Sequence, residues 1–534
     1  MSSKSNFIAR KVTPRWNPIK TALSLGHGRS LSVNKRFPSF DTDLWELTNK
    51  KEAWAKNPSV DSALDLLSGI STAPTSELAD DVIKYLIMHQ DKLSIPARLL
   101  LDRSINQSAD TINGLILPKI EEYFSEKHLF AEINRLKTRL SSTPGNPIVW
   151  FNISHLYGQL GQFTQAEKAM RAALFLAPNN RLMIRSAAKM YQQIDSDSEK
   201  SLWVLRRAES IESDPWLISA DIALSDSLGI KQKFRRKGLL LLKHSRIPDF
   251  HLSELRSAIG TNEIYSGSER LGKKHLDEAL LCGTENSIAQ IQWLQEAKIL
   301  NNYPELNLDN IQASYEAASR LAYTNQKWDE VIDNAIKWVY YHPFSENAAM
   351  LAGYMLYHVL GDTKNAIEVT RIGQRANPKC LPLINNRIFF EAQNGNVDKA
   401  ENIFNQISEG SKPNEKGLFH ANAGMIKFKR GNIIQGRKEY LQAMEIFNKA
   451  GLSFEAQSAM LHWAYEEMKS GVNSTDMKRL TQDVLNETKL LDDTPLKKMK
   501  DELQSGIHKR HDHIPKKRSL LGRLFSRILP NHNS

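Results

Sequence analysis

Histidine is the side chain readiest to do chemistry near neutral pH. The chain gathers three of them, His508, His511 and His513, beside Asp512 near its C-terminal end. Such a set could collect a metal ion. Here the histidines sit among Lys509 and Arg510 in a polar stretch that offers no second shell, so a solvated cluster is expected and no metal site. No His-Glu-x-x-His pair occurs, and Gly26-His27-Gly28 is too short to cradle a phosphate. Cys282 and Cys380 lack a C-x-x-C partner and read as buried thiols of a reducing compartment. His155, His358 and His420 each stand alone on helical stretches, without a nucleophile spaced to pair with them. The expectation is a protein that is not an enzyme and takes no cofactor.

The elements that hold these residues follow a repeat. Prolines fall at Pro144, Pro178, Pro215, Pro248, Pro304, Pro343, Pro378 and Pro413, with gaps of 34, 37, 33, 56, 39, 35 and 35 residues. Most of these intervals suit a helix-turn-helix unit, and a proline after its second helix stops the ladder for want of an N–H. Between Pro147 and Pro178 the grammar is clearest. Trp150, Ile153 and Tyr157 share one face of a first helix, Gly161 makes the turn, and Ala166, Met170 and Ala173 stripe a second helix. Ala166 is small because the two helices cross closely there.

This unit resembles the tetratricopeptide repeat, carrying Trp150, Ile153, Tyr157, Gly161, Phe163, Ala166, Met170, Ala173 and Pro178 at the family's signature points. Ser154 stands where glycine or alanine is usual. Partial matches follow at 312–345 (Tyr315, Ala318, Trp328, Val331), 347–380 (Met350, Gly353, Tyr357, Ala366), 381–414 (Ile384, Gly395, Ala400, Phe404) and 417–447 (Ala423, Gly424, Gly431, Tyr440). The stretches 181–215 and 216–303 look degenerate, with Tyr191, Ala208 and Ala279 as remnants. The resemblance implies an all-α, right-handed α-solenoid of tetratricopeptide-like helix pairs with flexible basic termini. It also implies that first helices line a groove for a protein or peptide partner. The groove positions would include His155, Gln159, Arg320, Tyr323, His358, Asn385, Phe389, Gln393, Phe428 and Lys429. A clamp for a terminal carboxylate is not complete at matched positions.

The formal charge of +11 belongs to the ends. Residues 1–40 hold eight basic and no acidic side chains, and 508–534 hold seven basic and one acidic; residues 41–507 net −3. Such tails seek acidic lipid, nucleic acid or an acidic protein surface. The longest apolar run, from Ala348 to Leu360, is too short to span a bilayer and reads as a buried helix. A cytoplasmic protein is expected, with peripheral membrane attachment as a second location. The acid-poor N-terminal arm has transit-peptide composition, but Pro14 and Pro18 interrupt its apolar stripe and argue against organellar targeting.

The organisation expected is a disordered arm at 1–41, irregular helices at 42–141, repeats at 142–303 and 304–449, capping helices at 450–504, and a linker and tail helix at 505–534. Two basic segments stand out. Lys231, Lys233, Arg235, Arg236, Lys237, Lys243 and Arg246 surround Leu239–Leu242, which suggests a solvated face beside a buried leucine run, with a phosphate-contacting patch as the alternative. In the tail, Leu521, Leu524, Phe525 and Ile528 make an apolar face flanked by Arg518, Arg523 and Arg527. That tail can dock back on the solenoid, lie on an anionic membrane or enter a partner's groove. The functional expectation is an interaction scaffold. The alternative is an RNA-binding or other nucleic-acid-binding helical-repeat protein, since 381–414 also resembles a pentatricopeptide unit; the near-neutral body argues against it.

Overall fold

The computed structural model describes residues 51–52, 54–60, 62–63, 66, 77–93, 101, 124–142, 144–195, 198–244, 247–297, 299–300, 303–304, 306, 308, 314–410, 412–471 and 482–508. Among them regular structure is helical throughout. The chain divides into two compact units between Ala318 and Ser319. The N-terminal arm, most of the C-terminal tail, and His511 and His513 lie outside the described residues.

The first unit opens with α1 (Glu77–Met88), whose Val82 and Leu86 bury against Ala63, Leu66 and Leu101. Helix α2 (Glu126–Ser142) sets Leu136 and Leu140 against Val149 and Ile153 of α3 (Pro147–Gln159). Helix α3 begins at Pro147 because Asn146 caps it, accepting from the Ile148 amide at 3.0 Å. Gly161 turns the chain at φ 71°, which glycine adopts without strain, and α4 (Phe163–Leu176) returns. Ala166 is wholly buried at the crossing. Ser154 fits there because its hydroxyl donates to the Ala166 carbonyl at 2.7 Å.

The same device recurs where the sequence looked degenerate. Helices α5 (Arg181–Asp195) and α6 (Ser198–Arg206) join through Ser201 Oγ, which donates to the Ala188 carbonyl at 2.7 Å. Helices α9 (Asp249–Tyr265) and α10 (Glu269–Leu280) join through Ser253 Oγ and the Ala279 carbonyl at 2.8 Å. These two also cross at Gly260 and Gly272, where a Cβ on Gly272 would stand 2.8 Å from the Gly260 carbonyl oxygen. Between those pairs lie α7 (Pro215–Ser227) and α8 (Arg235–His244). Helix α11 (Glu285–Glu296) follows, started by a Thr284–Ser287 capping box. The α5–α6 and α9–α10 pairs are therefore joined by hydroxyl–carbonyl bonds, and α9–α10 by a glycine contact as well, in place of consensus aromatics.

Helix α12 (Tyr315–Thr324) spans the division. The second unit then alternates α13 (Trp328–Tyr341), α14 (Glu346–His358), α15 (Thr363–Ala376), α16 (Leu381–Gln393), α17 (Val397–Phe404), α18 (Pro413–Lys429), α19 (Ile433–Lys449) and α20 (Ser453–Lys469). A final segment, 482–508, ends in α21 (Lys497–His508). Its Val484, Leu491, Leu496, Met499 and Leu503 join the same core as Met425, Tyr440, Met460 and Trp463. Two expectations need correction. The linker expected from residue 505 begins inside α21, because the apolar stripe Leu496, Met499 and Leu503 packs and carries the helix on to His508. Cys282 is exposed and Cys380 half-buried, because one lies in the turn after α10 and the other precedes α16 at its N-cap.

Candidate interaction surfaces

In the first unit, the first helices of successive pairs bring one row of side chains together. Asp214 caps α7 by accepting from the Trp216 amide at 2.9 Å, which places Trp216 in the first turn. The Arg185 guanidinium of α5 lies 4.8 Å above the Trp216 ring. Arg185 Nη2 also donates to Glu254 of α9 at 2.5 Å, and Asn286 Nδ2 of α11 donates to the other Glu254 oxygen at 3.1 Å. Glu254 is buried, so this pairing satisfies a charge that would otherwise be costly inside. Trp216 Nε1 donates to His251 Nδ1 at 3.1 Å, and Phe250 stands edge-on to Trp216 at 5.8 Å. Phe250 keeps 37% of its surface exposed, and Trp216 and His251 are half-buried. The result is an aromatic platform held from beneath by a salt bridge and open to solvent on its rim. It can receive an apolar or aromatic group of a partner; its side chains offer no nucleophile–base pair.

The second unit treats its first helices differently. His358 closes α14, and its ring lies 4.6 Å from Tyr354, 6.2 Å from Phe389 of α16 and 5.8 Å from His462 of α20. Phe389 meets His462 at 5.1 Å. Gln393 Nε2 donates to Glu466 of α20 at 2.7 Å, Lys429 Nζ lies 3.1 Å from the other Glu466 oxygen, and Lys429 also donates to Gln393 Oε1 at 3.3 Å. The terminal segment adds further cover: Lys498 Nζ donates to the Val359 carbonyl at 3.0 Å, Gln326 to Asp493 at 3.2 Å, and Tyr465 to Glu502 at 2.9 Å. Burial drives the His358 imidazole well below its ordinary range, with neighbouring His462 adding to it. Burial takes His462 down to about 4. Burial likewise pushes the phenols of Tyr354, Tyr357 and Tyr440 up.

Of the residues that the sequence offered as groove contacts, His358, Phe389, Gln393 and Lys429 come together, against α20. Asn385 is buried and accepts from Asn422 at 2.9 Å. Phe428 is buried beside Tyr440, 6.0 Å away. Tyr323 stands edge-on to Trp328 at 5.4 Å, its phenol raised by burial, and Arg320 is half-buried on the same helix. His155 and Gln159 are buried side by side at 2.9 Å in the first unit. The tail residues Arg518, Leu521, Arg523, Leu524, Phe525, Arg527 and Ile528 lie outside the described residues. Sequence reasoning missed Arg185, Trp216, Phe250, His251 and Glu254, and also His462 and Glu466. The one available signal for the latter was a histidine and a glutamate four residues apart, flanking Trp463 and Ala464, on an amphipathic helix. Among the described residues no group of three or more His, Cys, Asp or Glu side chains could hold a metal ion.

The tetratricopeptide repeat family model matches residues 148–180, which is the α3–α4 pair. No curated protein sequence matches the chain. Among solved structures, the chain is similar to one described as the APC/C hetero-tetramer Cut9–Hcn1, at 11% identity, over 88% of this chain and 94% of that chain, with a TM-score of 0.33. It is also similar to a human IFIT1 dimer with PPP-AAAA, at 11% identity, over 82% of this chain and 95% of that chain, with a TM-score of 0.27.

Proposed function

We propose that this chain, whose α3–α4 pair matches the tetratricopeptide repeat model, is a divergent tetratricopeptide-repeat protein and an interaction scaffold whose first unit receives a protein or peptide partner on the Trp216–Phe250–His251 platform. The observation that carries this reading is the contrast between the two first-helix rows. In the second unit, His358, Phe389, Gln393 and Lys429 are engaged by His462 and Glu466 of α20, and the segment 482–508 bonds to the Val359 carbonyl after α14. In the first unit, aromatic and arginine side chains are pre-positioned and still partly exposed. Tryptophan and arginine dominate the energetics of protein interfaces, and a rigid platform loses little conformational freedom on binding. The basic tails supply tethering to acidic surfaces, outside the platform.

The test is quantitative affinity capture from the native cell with the wild-type chain and with Trp216→Ala and Phe250→Ala. A true partner falls by at least roughly tenfold with either variant, the scale of an interface hot spot. An unchanged set of captured proteins, with the variants still helical, contradicts the proposal.

A further inference from the structure

Helix α8 turns an unusual face to solvent. Gly238 allows close packing: a Cβ there would stand 3.1 Å from Ile218 of α7 and 3.1 Å from Leu255 of α9. With that side fixed inward, Arg236, Lys237, Leu240 and Lys243 lie on the opposite side within one arc of the helix, and all four are exposed. Lys231 and Lys233, exposed in the preceding turn, extend the face. The leucine run expected to be buried is not: Leu240 is 48% exposed, and Leu239, Leu241 and Leu242 are half-buried. Ile230 is 45% exposed beside Lys231.

The cations are scarcely neutralised. Arg235 turns away to pair with Glu263. Lys237 reaches Glu212 at 3.1 Å through an ion pair exposed on both sides, and Lys233 lies 5.1 Å over the Phe234 ring. Lys231, Arg236 and Lys243 make no ion pair with any described residue. A solvated charge run would have no use for an aliphatic side chain at its centre. A phosphate backbone would use the cations and gain nothing from Ile230 and Leu240. An anionic bilayer surface uses both, with lysine and arginine at the headgroups and the aliphatics at the acyl boundary.

We propose that the exposed face of α8, made by Lys231, Lys233, Arg236, Lys237 and Lys243 around Ile230 and Leu240, docks on an anionic lipid surface. Helix α8 spans only Arg235–His244, too short to cross a bilayer, so its contact is peripheral. One short helix with two exposed aliphatics binds weakly by itself. The segment at 516–529 is of similar basic and apolar composition, and two linked weak contacts on one chain would reinforce each other.

The experiment is flotation of the full chain with phosphatidylcholine vesicles, with and without about a third phosphatidylserine. It is carried out on the wild type and on a background with Phe525→Glu in the tail. The combined variant Arg236→Glu, Lys237→Glu, Lys243→Glu should lower partition to the anionic vesicles by at least roughly tenfold in both backgrounds. Leu240→Ser, which leaves the charge intact and serves if the charge variant folds poorly, should lower it by about threefold. Equal binding to neutral and anionic vesicles overturns the proposal. So does binding that responds to Phe525→Glu and not to α8. Insensitivity to Leu240→Ser, with displacement from vesicles by an RNA oligonucleotide or polyglutamate, assigns the cations to another polyanion and overturns it as well.

Discussion

Ala166 and the two histidines His358 and His462 show how single residues set this fold. Ala166 is wholly buried where α3 crosses α4, with its carbonyl engaged by Ser154. Ala166→Trp should lower stability by about 1–3 kcal/mol or more, read as a lower melting midpoint; an unchanged melt means the crossing lies elsewhere. The position was legible because the spacing of Trp150, Ile153, Tyr157 and Gly161 fixes the register of the pair. His462 was not legible, since its neighbours His358 and Phe389 come from distant helices. Its imidazole ionises near 4 in the folded protein against 6.5 when unperturbed, and His358 is depressed as well. Between those values the unfolded chain binds more protons than the folded one. The second unit is therefore favoured above pH 6.5 and loses stability as pH falls from there toward 4. The loss from His462 is on the order of 1–3 kcal/mol. His462→Gln should flatten the fall in melting midpoint across that window; an equally steep fall in the variant would show that other groups carry it.

Helices follow the same logic at the next scale. The α5–α6 and α9–α10 pairs pack as helix pairs, yet their sequence looked decayed, because Ser201, Ser253, Gly260 and Gly272 do the joining. Serine–carbonyl bonds and glycine contacts leave the helices amphipathic, as the buried Met183, Ile184, Ala187 and Ala188 of α5 show, but without the aromatic signature of the repeat. Gly272→Ala forces a methyl against the Gly260 carbonyl and Ile264, and should destabilise by roughly 1–3 kcal/mol in a denaturant melt; a neutral result would mean the two helices separate freely. Ala459 and Trp463 of α20 were legible as core positions, while the contacts of the segment 482–508 with Gln326 and Val359 were not, being side-chain bonds across long sequence separations. Leu491 and Leu496 are buried there. Leu496→Ala should cost about 2–5 kcal/mol and speed amide exchange in α14 and α16 along with α20. Faster exchange confined to 482–508 would show that the segment is an appendage of the core.

On the scale of the molecule, charge and contact are divided among different regions. The two tails carry the positive charge and residues 41–507 are nearly neutral. Retention on a polyanion such as RNA should therefore fall steeply with salt and vanish when the cations of the tails and of the α8 face are replaced. Retention that survives those replacements would favour a nucleic-acid groove in the helical body. Partner recognition falls instead to the platform on α7 and α9. The most direct test places a photo-crosslinking amino acid at Phe250, and in a control chain at Phe175, which is 86% exposed on α4. Irradiated in the native cell, the chain labelled at position 250 should yield a discrete protein adduct that the chain labelled at position 175 does not. Adducts from position 175 alone, or none from position 250, would contradict the account.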